Sequence, residues 1–120
     1  MQISTQPLNH TIEGQVFAIL FQVLKDAINP DEVEVLLKDL LSDVELKMVA
    51  KRLAIAIYLD KGRSYENIRQ TLKVSSATIA AVQEKMSNPG IKLALQKIKT
   101  DDWAQDWTDK LTSVFRQLVQ

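Results

Sequence analysis

Apolar residues recur at three- and four-residue intervals along almost the whole chain, and no run of four to eight residues alternates as a half-buried strand does. The pattern predicts an all-α, multi-helix protein. After a polar segment, residues 1–10, read as flexible, a first helix is expected from about Thr11 to Ile28, stopped by Asn29 and Pro30. Its apolar residues, among them Ile12, Val16, Phe17, Ile19, Leu20, Phe21, Val23, Leu24 and Ile28, cover most of the helix circumference. A lone surface helix in a monomer of this length cannot bury so wide a face, so the pattern points to burial on two sides and to a partner subunit.

Pro30 suits the first turn of a second helix, with Asp31 and Glu32 at its positive end and Val33, Leu36, Leu37, Leu40 and Leu41 on its apolar face. Ser42 with Glu45 three positions on reads as a capping box opening a third helix to about Lys61, closed by Gly62. Leu46, Val49, Leu53, Ala56 and Ile57, with Ala50 alongside, are its expected buried stripe. From Ser64 the elements shorten. Ser64 caps a helix of about eight residues, Tyr65 to Leu72, with Ile68 and Leu72 inward; Ser75 or Ser76 then caps a helix through Ala77 to about Ser87, with Ile79, Val82 and Met86 inward. Asn88, Pro89 and Gly90 break it. A helix over Ile91 to Ile98 follows, and Thr100 opens a last one.

Composition narrows the chemistry. With no cysteine and the single histidine His10, the chain has no His/Cys set for a zinc site and no thiolate, so neither metal nor cofactor is expected. No nucleophile stands beside a base and no glycine-rich loop follows a strand, which argues against an enzyme. The longest apolar stretch, Val16 to Leu24, is too short for a membrane span and no signal peptide opens the chain, so a cytoplasmic protein is expected. The 15 basic and 15 acidic side chains cancel, but not evenly along the chain. Residues 1–60 hold five basic and nine acidic side chains, and residues 61–88 hold five basic and two acidic. A polyanion would be met at 61–88.

That segment is also where two short helices meet at a tight turn, the second opening on hydroxyl residues: the outline of a helix-turn-helix at about 64–87. Ile68 and Leu72 are placed to clamp Ile79 and Val82, and hydroxyls at the start of the second helix stand where backbone N–H groups meet phosphates. Double-stranded DNA is the expected partner. The candidate DNA-binding residues are Arg69, Lys73 and Lys85 for the backbone, Ser75, Ser76 and Thr78 through their hydroxyls, and Gln83 for a base edge. Ala77, Ala80, Ala81 and Glu84 leave the rest of the outward face with few readers. Lys73 stands at the turn, where many such units place glycine to enter the left-handed region.

The stretch from about Leu24 to Met86 resembles the trp repressor superfamily. The resemblance rests on the order of the helices, on Leu40-Leu41-Ser42-Asp43-Val44-Glu45, on Leu59-Asp60-Lys61-Gly62, on Ser64-Tyr65-Glu66-Asn67-Ile68, and on Val74-Ser75-Ser76-Ala77-Thr78-Ile79. It implies an intertwined homodimer whose two helix-turn-helix units enter successive major grooves, and a transcriptional regulator. In that family a tryptophan corepressor lies between two arginines. Arg52 matches the first and Ser42 matches a threonine of the pocket, so these two residues are the candidate effector site. Val82 stands where the second arginine is expected and supplies neither charge nor donor, which argues against a response to tryptophan.

The domain reading is then residues 11–90 as the trp repressor-like helical domain and 91–120 as a C-terminal helical extension. In the extension Trp103 and Trp107, four residues apart, could dock on the helical body or bind a protein partner. The competing function is a helical, dimeric interaction module whose degenerate helix-turn-helix no longer binds DNA.

Overall fold

The computed structural model describes residues 6–100, and six helices account for most of them: α1 (His10–Asp26), α2 (Pro30–Leu40), α3 (Asp43–Asp60), α4 (Tyr65–Leu72), α5 (Ser76–Glu84) and α6 (Pro89–Thr100). No strand occurs among the described residues, and the fold is all-α. The expected helix carrying Trp103 and Trp107 lies outside the described residues. The described residues divide into two compact units, one up to Leu46 and one from Lys47 on, with the division falling inside α3.

In the first unit each helix start is closed by side chains near it in sequence. Asn9 accepts from the Thr11 N–H at 2.8 Å, so α1 begins at His10, one residue before the expected start. Asn29 accepts from the Glu32 N–H at 2.9 Å while the Glu32 carboxylate accepts from the Ile28 N–H at 2.6 Å, and Pro30 sits in the first turn of α2 as its spacing predicts. Ser42 and Glu45 form the expected reciprocal pair: the Ser42 N–H donates to Glu45 Oε1 at 2.8 Å and the Glu45 N–H to Ser42 Oγ at 3.1 Å. Neither α1 nor α2 contains a buried residue. Ile12, Val16, Phe17, Ile19 and Phe21 are between 49 and 65% exposed, with the Phe17 and Phe21 rings stacked at 6.0 Å.

The second unit has the core. Ile55, Ala56 and Tyr58 from α3, Ile68 from α4, Ile79 and Val82 from α5, and Leu95 from α6 form one buried cluster, with Leu72, Val74, Met86 and Ile91 packed half-buried against it. Each fully buried isoleucine contributes about 1.5–3 kcal/mol of transfer free energy. The buried side of α3 is not the expected stripe. Ala56 lies within it, but Val49 and Leu53 are 48% and 41% exposed while Ile55 and Tyr58 are buried. Apolar residues surround α3, so periodicity alone selected the wrong side; α4, α5 and α6 pack against the Ile55–Tyr58 side. The Tyr58 hydroxyl and Thr71 Oγ1 are buried with no hydrogen-bond partner.

Helix ends in this unit follow local chemistry. Gly62, at φ +79°, closes α3: its N–H donates to Leu59 O at 3.0 Å and the Arg63 N–H to Tyr58 O at 3.0 Å, the paired bonds of a Schellman motif. Ser64 Oγ accepts from the Asn67 N–H at 3.2 Å and opens α4. Helix α5 is shorter than predicted, because from Lys85 the N–H groups bond three residues back, Lys85 to Val82 at 2.9 Å and Met86 to Gln83 at 3.2 Å. Pro89 and Gly90 belong to the first turn of α6 rather than to the link before it, Pro89 requiring no N–H partner there. Lys99 Nζ reaches Asp60 Oδ2 at 3.2 Å and ties the last turn of α6 to the last residue of α3.

Candidate nucleic-acid interface

Helices α4 and α5 face each other through Ile68 and Ile79, 1% and 0% exposed, with Val82 beneath them at 6% and Leu72 half-buried. This is the clamp the sequence predicts for a helix-turn-helix. Between the helices the chain turns at Lys73, with φ +55° and ψ +54°, the one non-glycine residue with positive φ among the described residues. Its N–H donates to Arg69 O at 2.9 Å, satisfying a carbonyl in the last turn of α4. A left-handed lysine costs on the order of 1 kcal/mol relative to glycine.

Two residues later Ser75 caps α5. Its Oγ accepts from the Thr78 N–H at 3.1 Å and lies 2.9 Å from Thr78 Oγ1, so two of the candidate hydroxyls are bonded to each other. Ser76 is exposed at the first position of α5. Lys73, Ser75, Ser76 and Thr78 therefore gather at one end of α5. Gln83 and Lys85, both exposed, stand at the other end, about 12 Å away along a helix of this length. Between them the outward side is Ala77 and Ala81, both exposed, with Glu84 adding a negative charge.

Arg69 is exposed on α4 but does not stand alone. Its guanidinium is ion-paired with Glu66, whose other carboxylate oxygen accepts from Gln70 Nε2 at 2.8 Å. Sequence reasoning missed this pair, although the spacing of three residues on a helix predicts it. It also missed Lys51, whose Nζ donates to the Lys73 carbonyl at 3.4 Å across 22 residues of sequence. No local pattern announces that bond.

The candidate effector residues fall in different units. Ser42 belongs to the first, where its Oγ holds the Glu45 N–H. There the Ser42 backbone N–H, and after it the Ser42 hydroxyl, hold the Glu45 carboxyl below the usual carboxylate range. Arg52 lies in the second unit, on an open cleft of about 570 Å³ walled by Met48 and Leu53 of α3, Ala81 and Lys85 of α5, and Ile91 of α6. Val82 lines the same cleft and gives it no polar group. Among the described residues no group of three or more His, Cys, Asp or Glu side chains could hold a metal ion. No described helix is long and apolar enough to cross a membrane.

No curated protein and no solved structure matches this chain. The family model described as Trp repressor protein matches residues 15–99, from the first turns of α1 to the end of α6 and more than two thirds of the sequence. The match takes in the capping box at Ser42, the Gly62 closure and the whole α4–α5 unit: the chain belongs to the Trp repressor family.

Proposed function

We propose that this protein is a sequence-specific, DNA-binding transcriptional regulator of the Trp repressor class that does not respond to tryptophan, with α5 as its recognition helix. The observation that carries the reading is the α4–α5 unit itself. A short capped helix, a left-handed turn at Lys73 and a second helix capped by Ser75 are packed together through Ile68, Ile79 and Val82, in a chain of that family. Lys73, Lys85 and the Ser76 hydroxyl are exposed for backbone contacts, and Gln83 is the candidate reader of a base edge. With so few readers, much of the affinity rests on phosphates and falls steeply with salt. In this reading the working domain of residues 11–90 takes in α6 as well, since Leu95 lies in the core and Ile91 packs against it, and the protein acts without a cofactor and without catalysis.

The reading includes a homodimer. Its support is the apolar surface that one chain leaves open: Ile12, Val16, Phe17, Ile19 and Phe21 on α1, and Val49 and Leu53 on α3. Two copies would present two recognition helices to successive major grooves.

The test is selection of bound duplexes from a randomised pool, with retention followed from roughly 50 to 200 mM salt. Enrichment of a two-fold-symmetric site with half-sites about one helical turn apart is the expected result. Absence of retention at the lowest salt by folded protein overturns the reading. One observation favours a second reading, an interaction module that keeps the fold without DNA: the exposed middle of α5 is alanine, and Arg69 is already paired. Its partner surface would include Trp103 and Trp107.

A further inference from the structure

The turn of the helix-turn-helix carries a residue of the wrong type for its backbone, and the structure places a cation on it from elsewhere. Lys73 is left-handed without being glycine. Its carbonyl, at the C-terminal and electronegative end of α4, accepts from the ammonium of Lys51 at 3.4 Å. Lys51 projects from the middle of α3, the helix that supplies Ile55 and Tyr58 to the core, and it is half-buried. The caps at Asn9, Asn29, Ser42, Ser64 and Ser75 tie residues two to three apart, so each secures only its own helix end. The Lys51 bond spans 22 residues and joins the turn to the core helix.

We infer that Lys51 is a positioning residue for the recognition helix: by holding the Lys73 carbonyl it stabilises the left-handed turn and fixes where α5 starts relative to α3. The direction in which the chain leaves Lys73 sets the position of Ser75 two residues on, and the Ser75 cap sets the first turn of α5. A positive charge near the last carbonyls of α4 is favourable, and a carbonyl already held by an ammonium keeps its peptide plane. Lys51 acts on DNA through the turn and not by touching phosphate. This consequence for DNA rests on the proposed function; the coupling between Lys51 and Lys73 does not.

The experiment is a double-mutant cycle on the full chain, with Lys51→Met and Lys73→Gly made singly and together, read by thermal unfolding and by affinity for a mixed-sequence duplex of about 30 base pairs across a salt series. Glycine takes the left-handed region freely, so the placement of α5 depends less on the tether once it is there. Lys51→Met is expected to lower Tm by about 3–6 °C in both backgrounds, because Lys73→Gly keeps the carbonyl that Lys51 holds. Duplex affinity is expected to fall three- to tenfold in the parent but no more than about twofold in the Lys73→Gly background, with the salt slope unchanged, and Lys51→Arg, which keeps a cationic donor, to restore most of both losses. No Tm loss in either background, or an equal loss of affinity in the two, overturns the inference. So does a salt slope that flattens by about one unit in Lys51→Met, because that is the mark of a lost phosphate contact. If the parent protein binds no duplex, the regulator reading falls, and the Tm loss of Lys51→Met with its restoration in Lys51→Arg decides whether Lys51 holds the Lys73 carbonyl.

Discussion

Arg69 and Glu66 are ion-paired one turn apart on α4, and Gln70 holds the second oxygen of the same carboxylate at 2.8 Å. The pair is exposed, so it adds little to stability. Its consequence concerns DNA, because the one arginine of α4 is held by an acid before any phosphate arrives. Glu66→Gln is expected to change Tm by less than about 2 °C. It should raise duplex affinity at low salt and steepen the salt dependence by about 0.9 in the log–log slope if Arg69 then takes one phosphate. A filter-binding salt series on both proteins checks this, and an unchanged slope removes Arg69 from the interface.

Ser75 has a structural task and an expected binding task, and two substitutions separate them. Ser75→Ala removes the acceptor for the Thr78 N–H and should lower stability by about 1 kcal/mol, seen in thermal unfolding. Ser75→Asp keeps a capping oxygen and suits the positive end of α5, so stability should be retained. The added negative charge should nevertheless weaken duplex binding at least as much as the alanine does. If the two variants lose affinity only in proportion to lost stability, Ser75 is a cap and nothing more.

The Ser42–Glu45 box makes a pH-dependent contribution whose sign follows from its bonds. The Ser42 N–H and hydroxyl favour the ionised Glu45 carboxylate and depress its folded-state pKa below the unfolded value. The stabilisation is therefore complete above the ordinary glutamate range and is lost as pH falls through the lower folded value. Tm measured from pH 7 down to 3 should show a gap between the parent and Glu45→Gln that closes at the acid end. A gap constant across that range would mean that Glu45 acts by shape and not by charge.

Free tryptophan should leave this protein unchanged. Arg52 borders the cleft of about 570 Å³, but Val82 in its wall is 6% exposed and has no donor or charge. Isothermal titration with millimolar L-tryptophan should give no saturable heat, and duplex retention should be the same with and without it. A stoichiometric heat would restore an amino-acid effector to this cleft.

The open apolar residues of α3 give a test of assembly. Val49 and Leu53 are nearly half exposed in one chain, and removing such area from water gains roughly 25 cal/mol per Å². Leu53→Glu should shift sedimentation of the protein toward the monomer or unfold it, whereas a surface lysine change such as Lys38→Ala should do neither. A Leu53→Glu protein with the parent's sedimentation coefficient and Tm would remove Leu53 from the proposed dimer contact.

How much of this was readable in advance divides by the range of the interactions. Most helix ends were legible, because caps and closures are made within five residues: Pro30, Ser42 with Glu45, Gly62 and Ser64 act as their spacing requires, whereas the choice of Ser75 over Ser76, the early end of α5 and the place of Pro89 inside α6 were not. The sequence by itself also determined the clamp of Ile68, Ile79 and Val82, since short helices with one apolar face leave one way to pack. The left-handed position of Lys73 was legible too, because it stands where many helix-turn-helix units carry glycine.

Tertiary structure alone decided the rest. Which side of α3 is buried could not be read from a helix apolar all round; it was settled by where α4, α5 and α6 pack, on Ile55 and Tyr58, leaving Val49 and Leu53 on an open cleft. Packing likewise placed Arg52 on a cleft with α5 and brought Lys51 to the Lys73 carbonyl. A contact across 22 residues depends on the path of every element between its ends. The local pattern records helices and their caps, and only the assembled core fixes which distant side chains meet.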